Sequence, residues 1–199
     1  MVRWTRLDIT NLGTYVDVLE VPYYPQRPNE CYVCSIKMVI EYFKNNYDVS
    51  FIRENTPALD FDQIADITNT KKLGTRVANL TKDLDKNIPT LKFEMVRNTK
   101  FEKLIEHLKK DLPVIVVYNG DYLMNEEKGG AHAGVVVGVN ESVIVLNNPW
   151  FGYQSVFDKI EFEHAWEIEY KTAILITPKE HIDALQTQIN QGSSDDART

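Results

Sequence analysis

The stretch Pro22-Tyr23-Tyr24-Pro25-Gln26-Arg27-Pro28-Asn29-Glu30-Cys31-Tyr32-Val33-Cys34-Ser35-Ile36-Lys37-Met38-Val39-Ile40-Glu41-Tyr42-Phe43 decides how this chain is read. Its first part carries three prolines, which withhold backbone donors and hold φ, so a stiff loop is expected through Glu30. From Cys31 to about Asn46 the period becomes helical. Val33, Ile36, Ile40 and Phe43 recur at spacings of three and four, with Val39 beside them, and predict one apolar face. Asn29 is the expected N-cap, and Glu30 sits at the positive end of the helix dipole. Cys31 then falls in the first turn, where the dipole stabilises a thiolate. The backbone N–H of Cys31 and the side-chain amide of Gln26 are candidate donors to an oxyanion.

Working outward, residues 14–22 read as a β-rich strand ended by Pro22. Phe61–Ile67 and Gly74–Leu84 read as short helices, the latter with Thr75 as cap, and Lys92–Val96 reads as a strand. Lys100–Leu112 is expected as an amphipathic helix with Phe101, Leu104, Ile105 and Leu108 on one side. Pro113–Tyr118 follows as a buried strand, then Asp121–Gly130 as a polar loop. His132–Val139 and Val143–Leu146 read as strands joined by a turn at 140–142, the second closed by Asn147-Asn148-Pro149-Trp150. Thr172–Thr177 is the last expected core strand, and from about Lys179 the chain turns polar, with a frayed tail. A helical N-terminal part followed by an antiparallel sheet makes the fold class α+β.

The bulk numbers exclude several classes. A length of 199 residues suits one medium domain, and 43% hydrophobic content supports a sizeable core. A net charge of −7 with dispersed acids argues against nucleic acid as a partner. Lys71-Lys72 and Lys109-Lys110 read as solvated faces. No run approaches the ~18 apolar residues of a spanning helix. Met1–Asp8 lacks an apolar h-region, so no secretory signal is expected and a reducing, cytoplasmic setting is the default. Two cysteines, Cys31 and Cys34, cannot make a disulfide framework for this length. The Cys-x-x-Cys pair also fits a thiol–disulfide site, but that site would follow a buried strand, and here a proline-bounded loop precedes it. Zinc would need two further ligands at suitable spacing, and none stands out. His107, His164 and His181 lie outside any motif and read as surface residues. Neither cofactor nor metal is expected.

Taken together, Val21-Pro22-Tyr23-Tyr24-Pro25-Gln26 and Cys31–Phe43 resemble the opening of the C39-like (bacteriocin-processing-type) cysteine peptidases. Lys110–Val116 is similar to that family's helix-to-strand step. Gly130–Val139 is similar to its histidine strand, Val143–Trp150 to its Asp-Pro or Asn-Asp-Pro-Trp block, and Phe162 and Trp166 match its Phe and Trp positions. Four such blocks in order cover about residues 18–178, which outlines a domain over 1–178 and a polar tail over 179–199. The resemblance implies a papain-like fold with Cys31 as nucleophile, His132 as base and acid, and Gln26 as oxyanion donor. It implies Asn148 as the residue that orients the imidazole, where the family usually has Asp. Asn147 is its rival, since alternation lets only one of the pair face His132. The implied substrate is a peptide or protein, cleaved through a Cys thioester. The alternatives are amide-forming acyl transfer on the same site and a catalytically weak peptide-binding module. Oligomeric state is left open by the sequence.

Overall fold

The structure, a computed structural model, describes residues 2–9, 13–71, 74–75, 80–125, 130–150 and 153–179. Its centre is a six-stranded antiparallel sheet of β3 (Leu91–Val96), β4 (Val114–Asn119), β5 (Ala131–Val139), β6 (Val143–Asn148), β7 (Tyr153–Asp158) and β8 (Thr172–Pro178). The spatial order is β3-β8-β4-β5-β6-β7. β4 and β6 are buried at every residue, and β5 over Ala133 to Gly138. Antiparallel strands show such unbroken apolar runs only where both sheet faces are covered. Helix α1 (Cys31–Asn45) packs on β5, while α5 (Phe101–Leu108) packs on β5 and α7 (Lys159–Ile168) on β4. The fold is α+β, with helices packed on an antiparallel sheet.

Helix α1 is more deeply set than a single apolar face suggests. Tyr32, Val33, Cys34, Ser35, Ile36, Met38, Val39, Ile40, Tyr42 and Phe43 are all buried. The face turned away from the sheet meets α2 (Ser50–Asn55) and α3 (Phe61–Ile67). Burying a Val, Ile or Phe side chain stabilises by ~1.5–3 kcal/mol, so this helix anchors Cys31 rather than merely carrying it. Its two lysines are both satisfied: Lys37 by Glu41 at 2.6 Å and the Leu59 carbonyl at 2.7 Å, and Lys44 by the Thr56 carbonyl at 3.2 Å. Tyr42 Oη donates to the Asp111 carbonyl at 2.8 Å, tying the helix to the turn before β4.

Ahead of α1, β1 (Trp4–Ile9) and β2 (Thr14–Leu19) form a hairpin whose second strand lies against β5. The contact is close at Gly138, where the ladder between β5 and β6 shifts register. A Cβ there would stand 2.9 Å from the Asp17 carbonyl oxygen.

Several expectations are corrected. Asn29 does not cap α1; Glu30 occupies the N-cap position, and Asn29 turns the chain in left-handed backbone at φ 64°. Asparagine tolerates that region because its short amide bonds locally. The loop expected over Asp121–Gly130 opens as helix α6 (Gly120–Asn125), and residues 126–129 lie outside the described ones. The helix expected over Gly74–Leu84 instead runs Leu80–Asn87 as α4; Thr75 lies ahead of it, and residues 76–79 are outside the described ones. α5 ends at Leu108, because the chain turns through Asp111 at φ 59°. His107 is buried rather than superficial, facing inward from the apolar side of α5. His164 is exposed, while His181 and the tail over 180–199 lie outside the described residues. Strands β1 and β7 and helices α2 and α7 have no counterpart in the sequence expectations.

Candidate active site

The loop from Tyr23 to Glu30 is held as firmly as its prolines imply. Gln26 donates its backbone N–H to the Pro149 carbonyl at 3.0 Å, and Tyr23 Oη reaches the same oxygen at 3.4 Å. Arg27 is clamped by Glu30 and Asp62, each at 2.7 Å. These contacts dock Gln26 against the Asn148-Pro149-Trp150 block and deliver the chain into α1 at Cys31. The Gln26 Oε1 atom is buried with no hydrogen-bond partner, a polar atom in need of a donor.

Cys31 is the first residue of α1 and is half-buried. Burial pushes its thiol up from the ordinary value, while the backbone N–H groups of Ala133, Tyr32 and Cys31 itself pull it back. The Ala133 contact places the sulfur beside β5, next in the chain to His132. Cys34, three residues on, is fully buried and donates to the Pro25 carbonyl at 3.5 Å. Burial pushes its thiol up to about 12. Both cysteines are free.

His132 is caged. Its Nε2 lies 2.9 Å from Asn148 Oδ1, across β5 and β6. The backbone N–H of Trp150 donates to that same Oδ1 at 3.1 Å. An N–H can only donate, so this contact identifies the asparagine atom as the oxygen. An oxygen that only accepts requires the proton on Nε2, which leaves Nδ1 of the neutral ring as the base. The Tyr118 ring meets the imidazole edge-to-face at a centroid distance of 5.4 Å, and Trp150 lies tilted at 5.3 Å. A Cβ on Gly120 would stand 3.0 Å from His132 Cβ and 3.3 Å from the Trp150 ring, so only glycine leaves the cage room. Burial lowers the imidazole below its ordinary pKa; the Asn148 bond and the charge of Asp121 oppose the shift. Asn147 points elsewhere and donates to the Val21 carbonyl at 2.9 Å.

Cys31, His132 and Gln26 thus line one cleft of about 670 Å³, with Trp150 at its edge. Asn148 stands behind the imidazole. All four residues singled out in the sequence are brought together. Tyr118, Trp150 and Gly120 were missed as parts of the cage. For Tyr118 the missing signal is register: it pairs directly with His132 across β4 and β5.

Against known proteins, a model of the Peptidase_C39 like family matches residues 18–174. The chain belongs to that family. This C39-like chain is therefore a member of a cysteine peptidase family, and its fold agrees with solved relatives. A crystal structure described as a C39-like peptidase from Bacillus anthracis superposes with a TM-score of 0.61 at 16% identity, covering 79% of this chain and 94% of the other. A double glycine motif protease from an AMS/PCAT transporter, solved in complex with the leader peptide, gives 0.55 at 21% identity, covering 80% and 92%. At these identities the likenesses speak for the fold alone. No curated protein matches the chain. Among the described residues no helix is long and apolar enough to cross a membrane.

Proposed function

We propose that this C39-like chain cleaves amide bonds in peptide or protein substrates through a thioester on Cys31. The observation that carries the proposal is the 2.9 Å bond between His132 Nε2 and Asn148 Oδ1, which leaves Nδ1 free to take a proton. In the proposed reaction, Nδ1 takes the Cys31 proton and the thiolate attacks the scissile carbonyl carbon. The oxyanion is met by the backbone N–H of Cys31 and the side-chain amide of Gln26. The imidazolium protonates the leaving amine as the C–N bond breaks, giving the acyl-enzyme. Water, relieved of its proton by the same nitrogen, then attacks the thioester, and the acid leaves while sulfur is reprotonated.

Asn148 cannot supply charge to the imidazolium as an aspartate would, but it holds the tautomer and the ring plane. Free thiols at both cysteines suit a reducing, cytoplasmic setting. A second reading is favoured by one observation. Burial raises the Cys31 thiol and lowers the His132 imidazole, both against the thiolate–imidazolium form, which also suits a peptide-binding module of low turnover.

Peptide-library cleavage by the wild type and by Cys31→Ala and His132→Ala separates the two. The peptidase reading expects cleavage only by the wild type. Peptide binding by all three with cleavage by none would leave the binding module.

A further inference from the structure

The cleft extends past Cys31 and His132 to a wall that includes Met95, Arg97, Glu169 and Tyr170. This wall forms where the chain leaves β3 and meets the turn between α7 and β8. The Asn98 N–H donates to the Tyr170 carbonyl at 2.8 Å, and the Thr99 N–H to the Lys171 carbonyl at 3.2 Å. Three non-glycine residues in these paired turns hold left-handed backbone: Asn98 at φ 53°, Tyr170 at 58° and Lys171 at 46°. Asparagine visits that region readily. A tyrosine followed by a lysine does so against steric cost, and the cross-turn bonds hold them there. The strain has a visible product. Tyr170 is turned outward, 67% exposed, and the Arg97 guanidinium lies over its ring at 5.7 Å from the centroid.

The charges along the wall are not equivalent. Lys171 is neutralised by Glu163 at 2.6 Å and Glu167 at 2.8 Å. Arg97 makes no ion pair among the described residues, and neither does Glu169. Glu169 shares the cleft lining with Tyr32, in the first turn of α1. A guanidinium held near an aromatic face by cation–π attraction, with no ion pair to occupy it, keeps its N–H donors available, and that planar fork can grip a carboxylate through two bonds. With a chain charge of −7, long-range attraction does not draw acidic peptides here, so any preference for them must arise at a local contact.

We infer that Arg97, held on Tyr170 at the cleft wall, is a subsite for an acidic side chain of the peptide substrate. Glu169 repels the same side chain from the neighbouring position, so the pair selects which substrate residue carries the acid. This inference rests on the peptidase reading, and its test is built so that the two can fail separately. Matched peptides with Glu, Gln or Lys scanned through each position are titrated calorimetrically into the full chain carrying Cys31→Ala, and the same peptides are offered to the wild type for cleavage. One position is expected to favour Glu over Gln by about tenfold, the worth of one charge-assisted contact in a wet cleft. Arg97→Gln should erase the preference, Arg97→Glu should turn it towards Lys, and Tyr170→Ala should weaken it. Arg97→Lys, which keeps the charge but loses the planar fork, should retain only part.

No charge preference at any position would overturn the subsite, as would a Lys preference erased by Glu169→Gln and indifferent to Arg97→Gln. Glu-selective binding without cleavage by the wild type would sink the peptidase reading and leave the subsite standing. Cleavage without charge preference would do the reverse.

Discussion

Cys31 and His132 owe their resting state to burial, and the two shifts run in opposite directions. The thiol lies above its ordinary 9.0 and the imidazole below its ordinary 6.5. Between those limits the pair holds a constant number of protons, whether written as thiol and imidazole or as thiolate and imidazolium. The expected pH profile of kcat/KM is therefore a broad plateau. Its acid limb lies below 6.5, where Nδ1 takes a proton that did not come from sulfur, and its alkaline limb lies above 9.0. A narrow bell centred near neutrality would contradict the two opposed shifts. Asn148 sets the orientation within that window. Asn148→Ala strips the acceptor from both Nε2–H and the Trp150 N–H, and a fall in kcat/KM of about 10²-fold is expected. Asn148→Asp places a carboxylate against the ring, favours the imidazolium and should move the acid limb upward. Alkylation reads the same chemistry directly. Iodoacetamide followed by peptide mapping should modify Cys31 well before Cys34, whose thiol stands at about 12 and donates to Pro25. Equal or reversed labelling would remove Cys31 from the nucleophile's role.

Between elements, the tightest fit is that of β2 on β5. At Gly138 a methyl would meet the Asp17 carbonyl oxygen at 2.9 Å and the Val16 and Val18 side chains at 3.2 and 3.4 Å. A backbone oxygen cannot swing aside as a side chain can, so Gly138→Ala must part the strand from the sheet. Urea denaturation should show a loss of about 1–3 kcal/mol; an unchanged midpoint would mean the hairpin is free to shift. Such contacts explain what the sequence could and could not show. α1, β4, β5, β6 and β8 were legible because each is a long apolar run or a clear three-and-four repeat. β1 was not, because four of its six residues are exposed and only Leu7 and Ile9 are even partly covered, too short an alternation to read as a strand. α7 buries only Phe162, Ala165 and Trp166 over ten residues, too sparse a stripe to separate from a loop. The site divides the same way. Cys31, Gln26, His132 and Asn148 stand in motifs, whereas Tyr118 and Gly120 join it only through strand register and the spacing between elements.

For the molecule as a whole, burial of histidine links stability to pH. His107 and His132 are both buried, and desolvation is the first cause lowering each. For His107 the nearby Lys103 and Lys110 charges push the same way, Glu106 and the Lys103 backbone oppose, and its Nδ1 has no partner. The sign follows from proton counting. Below about pH 6.5 the unfolded chain binds protons at these two positions that the folded chain refuses, so stability is complete above that pH and is lost as pH falls through it. Each histidine can contribute a slope of at most about 1.4 kcal/mol per pH unit. Carboxylates titrate mainly below this range, so urea titrations between pH 7.5 and 5.5 isolate the histidines. His107→Leu keeps the volume and removes one of the two titrating groups. Its lost contact with the Lys103 backbone should cost about 1 kcal/mol at pH 7.5, and its stability should then fall less steeply on acidification than that of the wild type. Parallel slopes for the two proteins would show that His107 takes up its proton as readily folded as unfolded, and that burial on α5 does not govern it.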